Sequence, residues 1–198
     1  PEIFNLTTAV SDVKAFQKIL VNKHIGQFQE EDVIVLLPEY DQKTGTESGK
    51  LAEYDIQDCI YDFFIDGKKD DVLILYFSGH ALINNNGHLF FAATDTKKYE
   101  MGGALIESTA IPASFIRKTM DTSQCENKVV ILDCYFSGTI NYDDSAKNTV
   151  NIEAELGGSG RIILASSNSV DYPFKEDKEL SIYTTALLEG IETGNADI

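Results

Sequence analysis

Two apolar runs, each ending in a small polar cluster, most constrain how this chain folds. Val72-Leu73-Ile74-Leu75-Tyr76-Phe77 leads directly into Ser78-Gly79-His80. Val129-Val130-Ile131-Leu132 leads into Asp133-Cys134-Tyr135-Phe136-Ser137-Gly138. Runs rich in Val and Ile that do not alternate with polar residues read as strands buried on both faces. In an open parallel sheet the ligand crevice lies beyond the carboxyl ends of the strands. The two clusters are therefore expected in one cleft. A histidine and a cysteine-bearing glycine turn at such ends are the ingredients of a thiol–imidazole site.

The rest of the pattern predicts an α/β chain. Val10, Val13, Phe16 and Leu20 recur at helical spacing, so a helix is expected over about Ala9–Asn22. Val33–Leu37 reads as a short buried strand stopped by Pro38, and Tyr40–Gly49 as a surface loop. Ile56, Ile60, Phe63 and Phe64 mark a second helix, ended by Asp66-Gly67. Asn84-Asn85-Asn86-Gly87 signals a turn before a short strand, His88–Ala93. Pro112 opens a helix through Met120. Lys128–Leu132 and Arg161–Ala165 are strands, Asn141–Gly160 is a loop between them, and Tyr183, Leu187 and Ile191 give a final helix. Such alternation predicts a mostly parallel sheet with right-handed crossovers. The 198 residues are expected to form a single domain.

Composition excludes several function classes. The net charge is −16 and the acid is spread along the chain, which argues against a nucleic-acid ligand and is compatible with cationic peptides. No apolar run reaches the roughly 18 residues that span a membrane, and Pro1–Asn5 does not resemble a signal peptide. No G-x-G-x-x-G or P-loop occurs, so a nucleotide site has no support. Cys59, Cys125 and Cys134 are odd in number and lack metal-like spacing. We expect neither disulfides nor zinc, and a reducing, cytoplasmic compartment. Cys59 sits in a helical pattern and is expected in the core. His24 and His88 lack the strand-and-glycine setting of His80.

Several ordered motifs resemble the caspase-like peptidases (peptidase family C14), the metacaspase and bacterial orthocaspase branch in particular. Leu6–Val13 is similar to the family's first-helix segment, and Tyr76–His80 to its histidine motif. Ile131–Gly138 is similar to its nucleophile motif. Leu164–Ser167 and Ser181–Leu187 resemble its later strand and helix. The resemblance implies a caspase-like fold of three layers, a mostly parallel central sheet with helices on both faces. It implies His80 as general base and the Gly79 N–H as oxyanion donor. It also implies that Asp12, Ser78 and Asp133 line a pocket for Arg or Lys before the cut. Two acids in a crevice suit a guanidinium through charge-assisted hydrogen bonds. The plainer alternative is that Asp12 caps the first helix and Asp133 a turn.

Matched residue by residue, Asp133 takes the motif's Asp, Cys134 its variable second position, and Ser137-Gly138 its ending. The usual nucleophile position then falls on Tyr135. A phenol ionises near 10 in water and a thiol near about 8.5, so an imidazole that activates a thiol should not make a competent phenolate. Three readings stay open: a pseudoprotease, an inactivated form of a protease, or Cys134 as a displaced nucleophile. Strand alternation sets Asp133 and Tyr135 on one side and Cys134 on the other. The implied partners are protein or peptide substrates with a basic residue. If the domain is a regulatory or peptide-binding module, an active caspase-like relative joins them. No nucleic acid or membrane partner is expected. Some relatives bind calcium through carboxylates, for which Asp95, Asp143 and Asp144 are candidates, although loop acids are usually only solvated. Family members usually begin with an apolar strand, which nothing before Ile3 supplies, and often continue past Ile198. A missing first strand and a C-terminal continuation are therefore expected.

Overall fold

The computed structural model describes residues 8–38, 40–41, 46–47, 50–138, 151–166 and 179–194. Helix α1 (Ala9–Leu20) is followed by two short rungs, β1 (Tyr40–Asp41) and β2 (Thr46–Glu47), paired antiparallel. Then come α2 (Glu53–Ile65), β3 (Val72–Ile83), β4 (Leu89–Ala92), β5 (Ala110–Pro112) and α3 (Ala113–Thr122). The chain continues through β6 (Asn127–Gly138), α4 (Ile152–Leu156), β7 (Arg161–Ala165) and α5 (Ile182–Thr193). The main sheet has five strands in the order β5-β4-β3-β6-β7. β3, β6 and β7 run parallel, and β4 is antiparallel to both of its neighbours.

The central ladder is the parallel pairing of β3 with β6, in unbroken register from Val72↔Asn127 to Ile83↔Gly138. Both strands alternate their side chains between two helical layers. Leu73, Leu75 and Phe77 join Val130, Leu132 and Cys134 in a core with Ile56, Ile60 and Phe64 of α2, Ile116 and Met120 of α3, and Leu156 of α4. On the other face Ile74 and Tyr76 join Val129 and Ile131, packed by Phe16 and Ile19 of α1 and Leu188 of α5. Phe16 stacks on Tyr76 with ring centroids 4.5 Å apart. This is the α/β sheet between helical layers that the strand pattern predicts.

Several expectations need correction. Val33–Leu37 forms no ladder among the described residues, with Ile34 59% and Leu36 36% exposed. An apolar run becomes a strand only when a partner takes its backbone groups. The loop expected over 141–160 contains α4, started by Asn151, whose side chain accepts from the Ala154 N–H. β5 was not expected from the sequence, and the helix expected from Pro112 begins one residue later, with Pro112 at its N-cap position. Cys59 is only half-buried and lies outside the core. Burial, and then Asp62 nearby, push its thiol up. Neither key strand stops where its apolar run stops. Both continue through their polar clusters, so the clusters are rungs of the sheet rather than turns beyond it.

Candidate active site

Because the ladder is unbroken, register fixes which site residues meet. Ser78 pairs with Asp133 and His80 with Tyr135, and paired side chains in a parallel ladder project from the same face. That face is the one covered by α1 and α5. The His80 and Tyr135 rings stand edge to face, with centroids 6.0 Å apart and planes at 88°. His80 is half-buried and Tyr135 is 39% exposed. The imidazole and the phenol thus share one open corner of the sheet.

Cys134 lies elsewhere. It pairs with Gly79 and projects into the core under α2, α3 and α4, where it is 6% exposed. Burial, with Asp133 adding to it, raises its thiol well above the ordinary range. Ser166 clamps its backbone from β7's end, accepting from the Cys134 N–H at 3.2 Å and donating to its carbonyl at 3.1 Å. The sheet itself separates this sulfur from His80. Cys134 as a displaced nucleophile therefore does not fit the geometry, because alternation holds through the motif. Gly79 also sits inside the ladder rather than in a loop. A Cβ there would come within 2.9 Å of the Phe77 ring, which gives the glycine a packing reason of its own.

The three residues expected to bind a basic side chain are brought together. Asp12, from the first turn of α1, is completely buried. It accepts from Ser78 Oγ at 3.2 Å and from the Ser181 N–H at 2.8 Å. Burial raises the Asp12 carboxyl, and Asp133 beside it raises it further, while the bonds from Ser181, Thr8 and Ser78 oppose the rise. Asp133 accepts from the hydroxyls of Ser181 and Thr184, the latter at 2.6 Å. Thr184 in turn meets the Tyr76 hydroxyl at 2.6 Å. Burial raises the Tyr76 phenol well above its ordinary value, partly offset by the bond to Thr184. The Asp12 carboxylate is thus an internal group rather than a wall of an open hollow.

Sequence reasoning missed Ser181, Thr184, Tyr76 and Ser166 as site residues. Ser181 carried a local signal, a serine just ahead of a helical pattern, which marks an N-cap. Nothing local marks its link to Asp12.

Of the calcium candidates, Asp143 and Asp144 lie outside the described residues. Asp95 is described, and its Oδ1 is buried without a hydrogen-bond partner. Among the described residues no three His, Cys, Asp or Glu side chains gather to hold a metal. The described residues do not make a calcium cage. A separate cavity of about 550 Å³ is lined by Asn84, His88, Glu107, Ser114, Arg117 and Glu155, among others. None of His80, Tyr135, Asp12 and Asp133 lines it. No helix among the described residues is long and apolar enough to cross a membrane.

The sheet presents Ser78, His80, Asp133 and Tyr135 on one face, and α1 brings Asp12 against them. The family model described as the caspase domain matches residues 2–198, and the chain belongs to that family. No curated protein matches the sequence.

Proposed function

We propose that this chain is a caspase-like cysteine endopeptidase domain of the metacaspase and orthocaspase type, built for Arg or Lys before the cut and silent with Tyr135 in place. The observation that carries the reading is the pairing of His80 with Tyr135, while the only thiol in the motif lies under the opposite face. In an active site of this kind the imidazole takes the nucleophile's proton and later returns it to the leaving amine. His80 is our candidate for that role, and the Gly79 N–H is our candidate oxyanion donor. What position 135 lacks is a thiol. A bulky phenol does not replace a thiolate.

Asp133, with the buried Asp12 and Ser78 as its neighbours, is proposed to receive the basic side chain, supported by the Ser78–Asp12 bond, the Ser181 bridge between the acids and the closeness of the two carboxyls. That cluster does not depend on the chemistry at position 135. The same observation therefore favours a second reading, a pseudoprotease that binds basic peptides or regulates an active relative. The acidic composition and three free cysteines support basic peptide partners and a reducing cytoplasm. The test is cleavage of Arg- and Lys-containing peptides. The unaltered chain should give none, and Tyr135→Cys should gain activity that His80→Ala removes. Robust cleavage by the unaltered chain, lost in Cys134→Ala, would overturn the reading.

A further inference from the structure

The acid pair is shaped by a residue outside it. Ser181 stands at the N-cap of α5 and bridges both acids. Its N–H donates to Asp12 Oδ1 at 2.8 Å, and its hydroxyl donates to Asp133 Oδ2. The same hydroxyl oxygen accepts from the Thr184 N–H at 2.9 Å, which closes the first turn of the helix. The Thr184 hydroxyl gives its one proton to Asp133 Oδ2, so Tyr76 must donate to Thr184. The proton directions of the network are thereby fixed from Tyr76 through to Asp133.

The two hydroxyls fall on one oxygen. Both Ser181 and Thr184 engage Asp133 Oδ2, and Oδ1 takes no hydrogen bond from the described residues. Asp12 differs, since Ser181 and Ser78 occupy its two oxygens and the side chain is completely buried. Among the hydrogen bonds of the described residues, Asp133 Oδ1 is the oxygen of the pair left to accept from a ligand, with the Asp12 carboxyl near enough to feel its charge. The terminal torsion of an aspartate is soft and broad, so a carboxylate held at one oxygen is far better aimed than a free one.

We infer that Ser181 is the positioning residue for recognition of a basic side chain. It holds Asp133 by Oδ2, reserves Oδ1 for a guanidinium or ammonium group, and sets the distance between the two acids. The inference rests on the reading of Asp12 and Asp133 as a basic-residue pocket. Ser181 does not touch the reacting atoms and acts only through Asp133 and Asp12.

The experiment is an NMR titration of the full chain with acetyl-Ala-Ala-Ala-Arg amide and with its norleucine counterpart, which has no charge. The unaltered chain should bind the arginine peptide at least about tenfold more tightly. Ser181→Gly removes the hydroxyl but costs a helix cap little. It should weaken the arginine peptide about tenfold and leave the norleucine peptide unchanged. Ser181→Thr restores a hydroxyl and should recover the preference, which a merely structural role would not produce. Should Ser181→Gly fail to fold, Ser181→Cys, close in size and with only a weak S–H donor, decides the same question. Arginine binding within about twofold of the unaltered chain in the folded variant overturns the role of Ser181 and leaves the pocket standing. Equal binding of both peptides by the unaltered chain overturns the pocket and this role together.

Discussion

Cys134 and Tyr135 are consecutive in the chain and lie on opposite faces of one sheet, the thiol in the core and the phenol beside His80. A motif that reads as one unit in the sequence is therefore split by the sheet into a packing half and a surface half.

The thiols should differ in reactivity accordingly. The thiolate is the reactive form, and it is reached only by exposure and ionisation. Cys134 is 6% exposed with its thiol raised, whereas Cys59 is half-buried on α2. Iodoacetamide at neutral pH should label Cys59 well before Cys134, and Cys134 should react only at the rate of unfolding. Mass spectrometry of timed samples checks this, and early labelling of Cys134 would contradict the placement.

Thr184 is completely buried, and its hydroxyl links Tyr76 to Asp133. Thr184→Val keeps the shape and strands both partners, which should cost about 1–3 kcal/mol of stability. Adding Tyr76→Phe removes one stranded group, so the double variant should lose less than the two single losses combined. Urea denaturation of the four forms gives the coupling. Strict additivity would show that the chain of hydroxyls is not a unit.

The raised Asp12 carboxyl makes stability depend on pH in a stated direction. The folded protein keeps the Asp12 proton to a higher pH than the unfolded chain does. The stabilisation is thus complete below the ordinary aspartate value, near about 3.9, and is lost as pH rises through the folded value. Asp133→Asn removes the neighbouring charge and should shallow this decline. Burial, the larger cause, should keep part of it. Denaturant midpoints measured from pH 4 to 7 test this, and a steeper decline in the variant would refute it.

How much of this was legible follows from where each signal resides. The two key strands were readable because burial on both faces leaves an unbroken apolar run. Their polar continuations were read as turns, because composition reports burial and not pairing. Val33–Leu37 has the same composition, and no ladder forms on it among the described residues. The meeting of His80 with position 135 is expected from two strand ends opening onto one crevice, and the structure brings it about through a rung of the ladder instead. Ser181 stayed invisible in its larger role because its bond to Asp12 spans 169 residues of sequence. A hydroxyl leaves no periodic trace of a partner that distant.

Gly79→Ala offers a local test of packing. The new Cβ would meet the Phe77 ring at 2.9 Å, closer than ordinary contacts allow. The Phe77 ring is itself held edge to face against Phe91, with centroids 5.0 Å apart. The substitution should cost about 1–3 kcal/mol by overpacking, and Phe77→Leu in the same chain should recover part of it. Calorimetry of the three variants decides, and an unchanged melting temperature for Gly79→Ala would show that the ring moves aside freely.

The continuous ladder of β3 and β6 also separates two kinds of loss. Backbone pairing from Val72↔Asn127 to Ile83↔Gly138 does not require a thiol at position 135, and the side chain there borders solvent. A substitution at the partly exposed position 135 should therefore cost less stability than one at Asp12 or Thr184, both completely buried. Backbone pairing holds the His80 rung in register whatever side chain stands at position 135.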